Sequence, residues 1–408
     1  MSAFLVGHAT HPDWRTALAL AAAQIDARIA AHDSGSDGPL TLGFVYFTDH
    51  YAAQAEALYA ELRLRWPTLA WVGSCGVGVA AGGAEYIDEP ALALMLAAIP
   101  TGRFEVYSGA HKLGRIEPYS ALVHADPATP ELSELIGELA NRTDSGYLFG
   151  GLASARGTPV HIADGVWRGG LSGVAFTADV PHLSRVTQGC QPVGPTRTVT
   201  ACERNIVLAL DGEPAQACML RDLGLDLETN QRAALLRLRS TLVGLTDAHD
   251  TALSVRGMKG GQFGTDTRVR HLVGLDRARQ GVAVAELLEP GQRLAFCQRD
   301  ATVAMRDLVR ICSEIRDELE TQSEAAPVTS GRGADAPRRR IRGAIYISCA
   351  GRGGGHFGGP SAELKAVQHA LGGLGDDIPL VGFFAAGEIA RHHLYSYTGV
   401  LTVFTSGA

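Results

Sequence analysis

Short apolar runs that end in glycine alternate along this chain with longer stretches in which apolar residues recur every three or four positions. The second pattern predicts helices. From Asp13 to Ala30 the stripe is Leu18, Ala22, Ile25 and Ile29, and Pro12-Asp13 supplies a start signal. From Asp300 to Glu320 it is Val303, Leu308, Ile311, Cys312 and Ile315, with Asp300 as the N-cap. Shorter helices are predicted at Gln54–Arg65, Glu131–Asn141 and Ala362–Leu371. The glycine-bounded runs predict strands, among them Gly43–Phe47, Trp71–Gly76, Ala91–Leu96, Tyr147–Ser154, Gly170–Phe176, Asn205–Leu210, Arg293–Gln298, Gly343–Ser348 and Tyr397–Phe404.

The order of these elements repeats. Residues 43–97 and 343–404 each read strand, helix, strand into a small-residue turn, and returning strand, and residues 131–176 form a partial third copy. In each copy a hydrophobic run enters a glycine followed by small residues, where backbone can turn sharply or approach another chain segment. The pattern predicts an α/β fold of two domains built from repeated β-α-β units with glycine-rich turns. Two compositional breaks interrupt it, at Asp33–Pro39 and at Thr321–Arg340, and the second reads as a mobile surface loop. Its Arg338-Arg339-Arg340 triplet suits a solvated loop better than an acidic partner.

Composition narrows the classes. With 46% apolar and 19% charged residues and 49 glycines in 408, the chain has the makeup of buried sheets with many turns, not of a coiled coil or collagen. A net charge of −7, with 33 arginines and three lysines scattered along the chain, gives no field for nucleic acid. No apolar stretch approaches the ~20 residues that span a bilayer, and the N-terminus has no signal-peptide pattern. Seven cysteines without CxxC spacing fit reduced thiols and a cytoplasmic location.

The richest chemistry lies after strand 343–348. Gly353-Gly354-Gly355-His356-Phe357-Gly358 satisfies GxGxxG, but six glycines in nine residues make that pattern nearly unavoidable, and no ribose-binding acid follows at the required distance. A small anionic or zwitterionic ligand suits the loop better, with Arg352 offering a fork to a carboxylate. Glu388, at the exit of the next strand, is placed to take an ammonium or hydroxyl, or to serve as a turn acid. Cys349 and Cys75 stand at matching strand ends and are candidate thiolates without an evident His or Asp partner. Metal motifs are absent, although a single histidine, His356 or His111, could ligate a haem.

Several stretches taken in order resemble the FIST family: Trp71-Val72-Gly73-Ser74-Cys75-Gly76-Val77-Gly78-Val79, Phe149-Gly150-Gly151-Leu152-Ala153, Asp164-Gly165 ahead of Gly170–Phe176, Gln188–Pro195, Val199–Asn205 and Leu210–Ala215. In the second half Cys349-Ala350-Gly351-Arg352-Gly353 and Ile378–Ile389 look like the family's C-terminal core. The resemblance implies an N-terminal strand and helix at 1–35, a FIST N-like domain at 36–228 and a FIST C-like domain at 236–395. It implies small-ligand sensing, with amino acids or related metabolites as the ligand class, haem-based nitric oxide sensing as an alternative, and output through a signalling protein partner. An enzyme, thiol-dependent or acid–base, is the lesser expectation. The expected ligand-binding set is Ser74, Cys75, Gly151, Cys349, Arg352, Gly353, Phe383, Phe384, Gly387 and Glu388. Within it, loop N–H groups and Arg352 hold a carboxylate, Glu388 an amine, and Phe383 or Phe384 the apolar part.

Overall fold

The computed structural model describes residues 4–31, 38–225, 237–248, 267–324, 339–372 and 378–406. The expected junction at 228–236 lies outside the described residues, as do residues 33–37 and 325–338 of the two compositional breaks. The chain forms two compact units, one of Met1–Thr187, Met305–Leu394 and Thr398–Ala408, the other of Gln188–Ala304 and Tyr395–Tyr397.

The first unit contains the repeat three times. Each copy has two parallel strands joined by a helix, a return strand antiparallel to the first, and an outer strand on the return strand. The first copy uses Leu42–Thr48, helix Ala55–Arg65, Ala70–Gly76, return strand Ala91–Ala97 and outer strand Phe4–Thr10. The second uses Ser120–Ala125, helix Leu132–Ala140, Tyr147–Leu152, Leu171–Phe176 and Phe104–Tyr107. The third uses Ile341–Cys349, helix Ala362–Leu371, Leu380–Ala385, Thr398–Thr405 and His182–Gln188. Several of these strands, Leu42–Thr48, Ala91–Ala97, Leu380–Ala385 and Thr398–Thr405 among them, are buried along their whole length, as strands covered on both faces are.

Gly73, Gly150 and Gly382 occupy the same place in the three copies, opposite Val45, Val123 and Tyr346. A Cβ there would stand 1.7, 1.9 and 1.6 Å from the carbonyl oxygens of those residues, so no other side chain fits. The glycines that punctuate the sequence are thus places where neighbouring strands close up.

After its second parallel strand each copy extends a hairpin that joins a different copy's sheet. Gly78–Ala81, paired with Ala84–Ile87, lies on Leu380–Ala385 of the third copy. His161–Ala163, paired with Val166–Trp167, lies on Ala70–Gly76 of the first. Glu388–Arg391 lies on Tyr147–Leu152 of the second. Every repeat therefore completes the sheet of the one before it, and the first completes the third, closing a ring.

The two long predicted helices are counterparts, each following an outer strand. In helix Trp14–Ala31, Asp13 accepts the Thr16 N–H at 3.0 Å, and Leu18, Ala21 and Ile25 enter a core with Leu58 and Leu62. In helix Ala301–Glu324, Asp300 accepts the Thr302 and Val303 N–H groups at 2.8 and 2.9 Å, and Leu308, Ile311 and Ile315 meet Leu364 and Val367. Between the outer strand and the helix of the third repeat, the chain runs through the second unit.

That unit is a barrel. Strands Arg293–Arg299, Arg197–Glu203, Ile206–Leu210, Gly281–Val284, Arg268–Asp276 and Leu242–Thr246 pair in this order, and the last pairs back onto the first. Val199, Val207, Val243, Val282 and Phe296 fill its core with Cys218 and Met219 of helix Ala215–Leu223. Among the described residues no helix is long and apolar enough to cross a membrane.

Candidate functional site

Where the third repeat's first strand ends, its side chains enter a buried polar cluster. Glu363, 1% exposed in the first turn of its helix, accepts hydrogen bonds from the Tyr346 hydroxyl (2.6 Å), the Ser348 hydroxyl (2.9 Å) and Arg352 Nε (2.9 Å). Arg352 Nη2 lies 2.7 Å from the same carboxylate, and the guanidinium stands 5.1 Å from the centre of the Phe357 ring. Burial works against the Arg352 charge, but the Glu363 carboxylate outweighs it and holds its pKa above the ordinary value.

Glu388 is wholly buried beside this cluster, in the first strand position of the exchanged hairpin and opposite Gly151. Its Oε2 accepts the Thr398 hydroxyl (2.7 Å) and N–H (3.1 Å). Burial pushes its pKa up to about 8, against the pull of Thr398, Arg352 and the Cys349 thiol. Among the described residues, Arg352 Nη1 and Glu388 Oε1 are buried without a hydrogen-bond partner. The structure thus brings Cys349, Arg352, Gly151 and Glu388 into one region, and Phe384 adjoins it, 3.1 Å from where a Gly353 Cβ would stand.

Other residues of the expected set are structural in their contacts. The Cys75 thiol is fully buried, donates to the Ser154 carbonyl (3.7 Å) and accepts the Val160 N–H (3.2 Å), and burial pushes it up to about 12. It is a core thiol, not a thiolate. Ser74 is buried with its hydroxyl on the Cys75 carbonyl at 3.1 Å. Phe383 stacks on Tyr46 at 5.2 Å, and the Gly387 carbonyl accepts the Leu152 N–H at 2.8 Å.

The three small-residue turns converge, as the repetition implies, and they are bonded to one another. Counting from the shared glycine, Val77, Ser154 and Ala386 are equivalent, and so are Cys75, Leu152 and Phe384. The Ala386 N–H donates to the Leu152 carbonyl at 3.0 Å, and the Ser154 N–H to the Cys75 carbonyl at 3.4 Å. At the third junction a side chain intervenes. The Val77 N–H donates to Ser154 Oγ (2.9 Å), whose hydroxyl donates to the Phe384 carbonyl (2.5 Å).

Beside that third junction lies a cavity of about 470 Å³. One wall is Glu85, Ile87 and Glu89, on and just past the first repeat's hairpin, and the other is the third repeat's loop from Gly354 to Ser361. Glu85 accepts the Leu364 N–H at 2.8 Å, so a carboxylate of the chain already sits at that helix N-terminus. Burial, with the neighbouring Glu363 carboxylate, raises Glu85 to about 7 against the pull of the Leu364 N–H. Glu89 receives the Thr10 hydroxyl at 3.2 Å.

Sequence reasoning did not single out Glu363, Glu85, Ser154, Tyr46 or His124. Glu363 had a signal, since it shares the apolar stripe of its helix with Val367 and Leu371. Tyr46 and His124, bonded at 3.2 Å in the centre of the ring, had none beyond their strands. Burial lowers His124 to about 3, so it is neutral there. His111 is exposed and His356 packs edge-on to Phe357 at 5.0 Å. A haem needs a broad apolar slot, and the cavity beside His356 is lined by four glycines, two glutamates and Ser361 with Ile87 and Pro360 as its apolar side chains, so it does not suit one. Among the described residues no group of three or more His, Cys, Asp and Glu is placed to hold a metal ion.

The fold is an α/β ring of three β-α-β repeats with exchanged hairpins, its chain interrupted by a barrel, with a solvent-open cavity between the first repeat's hairpin and the third repeat's loop. The chain belongs to the FIST family: residues 41–213 match the FIST N domain and residues 217–391 the FIST C domain. FIST domains are sensory, signal-transduction domains. The chain is similar over 418 aligned residues, at 28% identity and 98% of each chain, to uncharacterized protein Rv0628c of Mycobacterium tuberculosis and to uncharacterized protein Mb0898c of Mycobacterium bovis.

Proposed function

We propose that this chain is a sensory protein that binds a small metabolite of the amino-acid class in the cavity between the first repeat's hairpin and the third repeat's glycine loop. The observation that carries the reading is the cavity's pair of walls: Glu85 and Glu89 face a loop whose glycines expose backbone instead of side chains. An ammonium group finds carboxylates on one side, and a carboxylate finds loop N–H groups on the other. A volume of about 470 Å³ falls within the usual range for small-ligand pockets. Arg352, fixed by Glu363, underlies the loop and holds its start, and Glu388 and Cys349 support it from the adjoining strand ends. The bound state is passed to a protein partner in the cytoplasm.

The test is thermal unfolding of the full chain against the L-amino acids and related amines and dicarboxylates. Ligand at ~100 times Kd adds ~2.7 kcal/mol and raises the midpoint by several degrees. A rise confined to amino acids, and reduced in Glu89→Gln, supports the reading. Flat curves throughout refute it.

A further inference from the structure

We propose that Ser154 is a positioning residue that holds the ligand cavity open by wedging one of the three junctions of the ring. The inference rests on the reading of that cavity as the ligand site. At two junctions the equivalent backbone groups bond directly, Ala386 to Leu152 at 3.0 Å and Ser154 to Cys75 at 3.4 Å. At the third, the matching partners are the Val77 N–H and the Phe384 carbonyl, and the Ser154 hydroxyl stands between them, accepting from one and donating to the other. The positions equivalent to Ser154 are Val77 and Ala386, which have no hydroxyl, so only one junction is spread in this way.

The spread junction is the one beside the cavity. The Val77 carbonyl accepts the Asp88 N–H at 3.3 Å, which ties the wedge to Ile87 and Glu89 of one wall. A Cβ on Gly78 would stand 2.9 Å from the Phe384 ring, and one on Gly353 would stand 2.8 Å from Ile87 and 3.1 Å from Phe384. The two walls therefore meet at Phe384, whose carbonyl the serine holds. Ser154 is 6% exposed and has no route to the ligand itself, so its effect passes through the spacing of Val77 and Phe384.

The test is Ser154→Ala in the full chain. Without the hydroxyl, Val77 and Phe384 are free to bond directly, as their counterparts do. We expect the melting midpoint to hold, the Val77 amide to stay protected from hydrogen exchange, and exchange across 353–361 to slow as the walls approach. Affinity for the L-amino acid that most stabilises the parent chain should fall by at least about tenfold, and Ser154→Thr, which keeps the hydroxyl, should restore it. Faster exchange at Val77 with a lowered midpoint and unchanged affinity would overturn the proposal, leaving Ser154 as a stabilising bond only. Failure of the alanine chain to fold would also overturn it, because the two backbone groups would then have been unable to meet. If no amino acid stabilises the parent, the ligand reading fails, and slower or faster exchange across 353–361 still decides the wedge.

Discussion

Replacing Glu363 with glutamine should unsettle the third repeat more than almost any other single polar change. The carboxylate is 1% exposed and faces three donors within 2.9 Å, one of them the buried Arg352 guanidinium. Glutamine keeps the shape and removes the charge, which leaves the Arg352 guanidinium in the core without the carboxylate bonded to it. Breaking a buried pair from one side costs about 3–5 kcal/mol. At about 2 °C per kcal/mol for a unit of this size, the midpoint should drop by about 6–10 °C. The assay is thermal unfolding by circular dichroism of the parent, Glu363→Gln, and Glu363→Gln combined with Arg352→Met. Removing both charges should recover most of the loss, since two neutral side chains no longer demand each other. A loss below about 1 kcal/mol in the single variant, or a double variant no better than the single, would show that the pair is not the buried electrostatic lock its geometry describes.

Glu388 predicts a pH dependence. Its folded pKa of about 8 lies above the ordinary 4.5, so the native state keeps a proton that the unfolded chain releases, and stability is complete below pH 4.5 and is lost as pH rises toward 8. Glu85, raised to about 7, acts in the same direction. Denaturation midpoints measured from pH 5 to 8 should fall less steeply in Glu388→Gln than in the parent, and equal slopes would refute the assignment. Gly382→Ala should lower stability by about 3 kcal/mol or more or abolish soluble expression, because its Cβ would stand 1.6 Å from the Tyr346 carbonyl oxygen. Gly102→Ala, with open space around it, should be neutral when the two variants are compared by urea titration.

The repetition was legible because it is written in local terms. Apolar runs, helical stripes and small-residue turns recur in order, and the helices expected at 13–30, 300–320 and 362–371 appear within a few residues of those bounds. The second copy's first strand was harder to see, since Ser120–Ala125 is short and has serine and histidine within it. The hairpin exchange was not legible at all. Nothing local in Gly78–Ile87 says that its partner is Leu380–Ala385, because strand pairing over such a separation is decided by the ring and not by the segment. At the site, Arg352 and Glu388 stood out as charges at strand exits. Their burial, the capture of Arg352 by Glu363 and the acids across the cavity depend on tertiary neighbours.

The exchanged hairpins also fix an order of events during synthesis. Ala81 pairs with Val381, 300 residues later in the chain. At roughly 5–20 residues per second, the first hairpin emerges from the ribosome roughly 15–60 seconds before its partner strand exists. The barrel unit, Gln188–Ala304, accounts for 117 of those residues. Throughout that interval Gly78–Ala81 presents an unpaired sheet edge, the feature through which nascent chains join one another. The same exchange that leaves the finished ring without a loose hairpin thus leaves the growing chain with an open strand edge in its N-terminal third until the last repeat has been made.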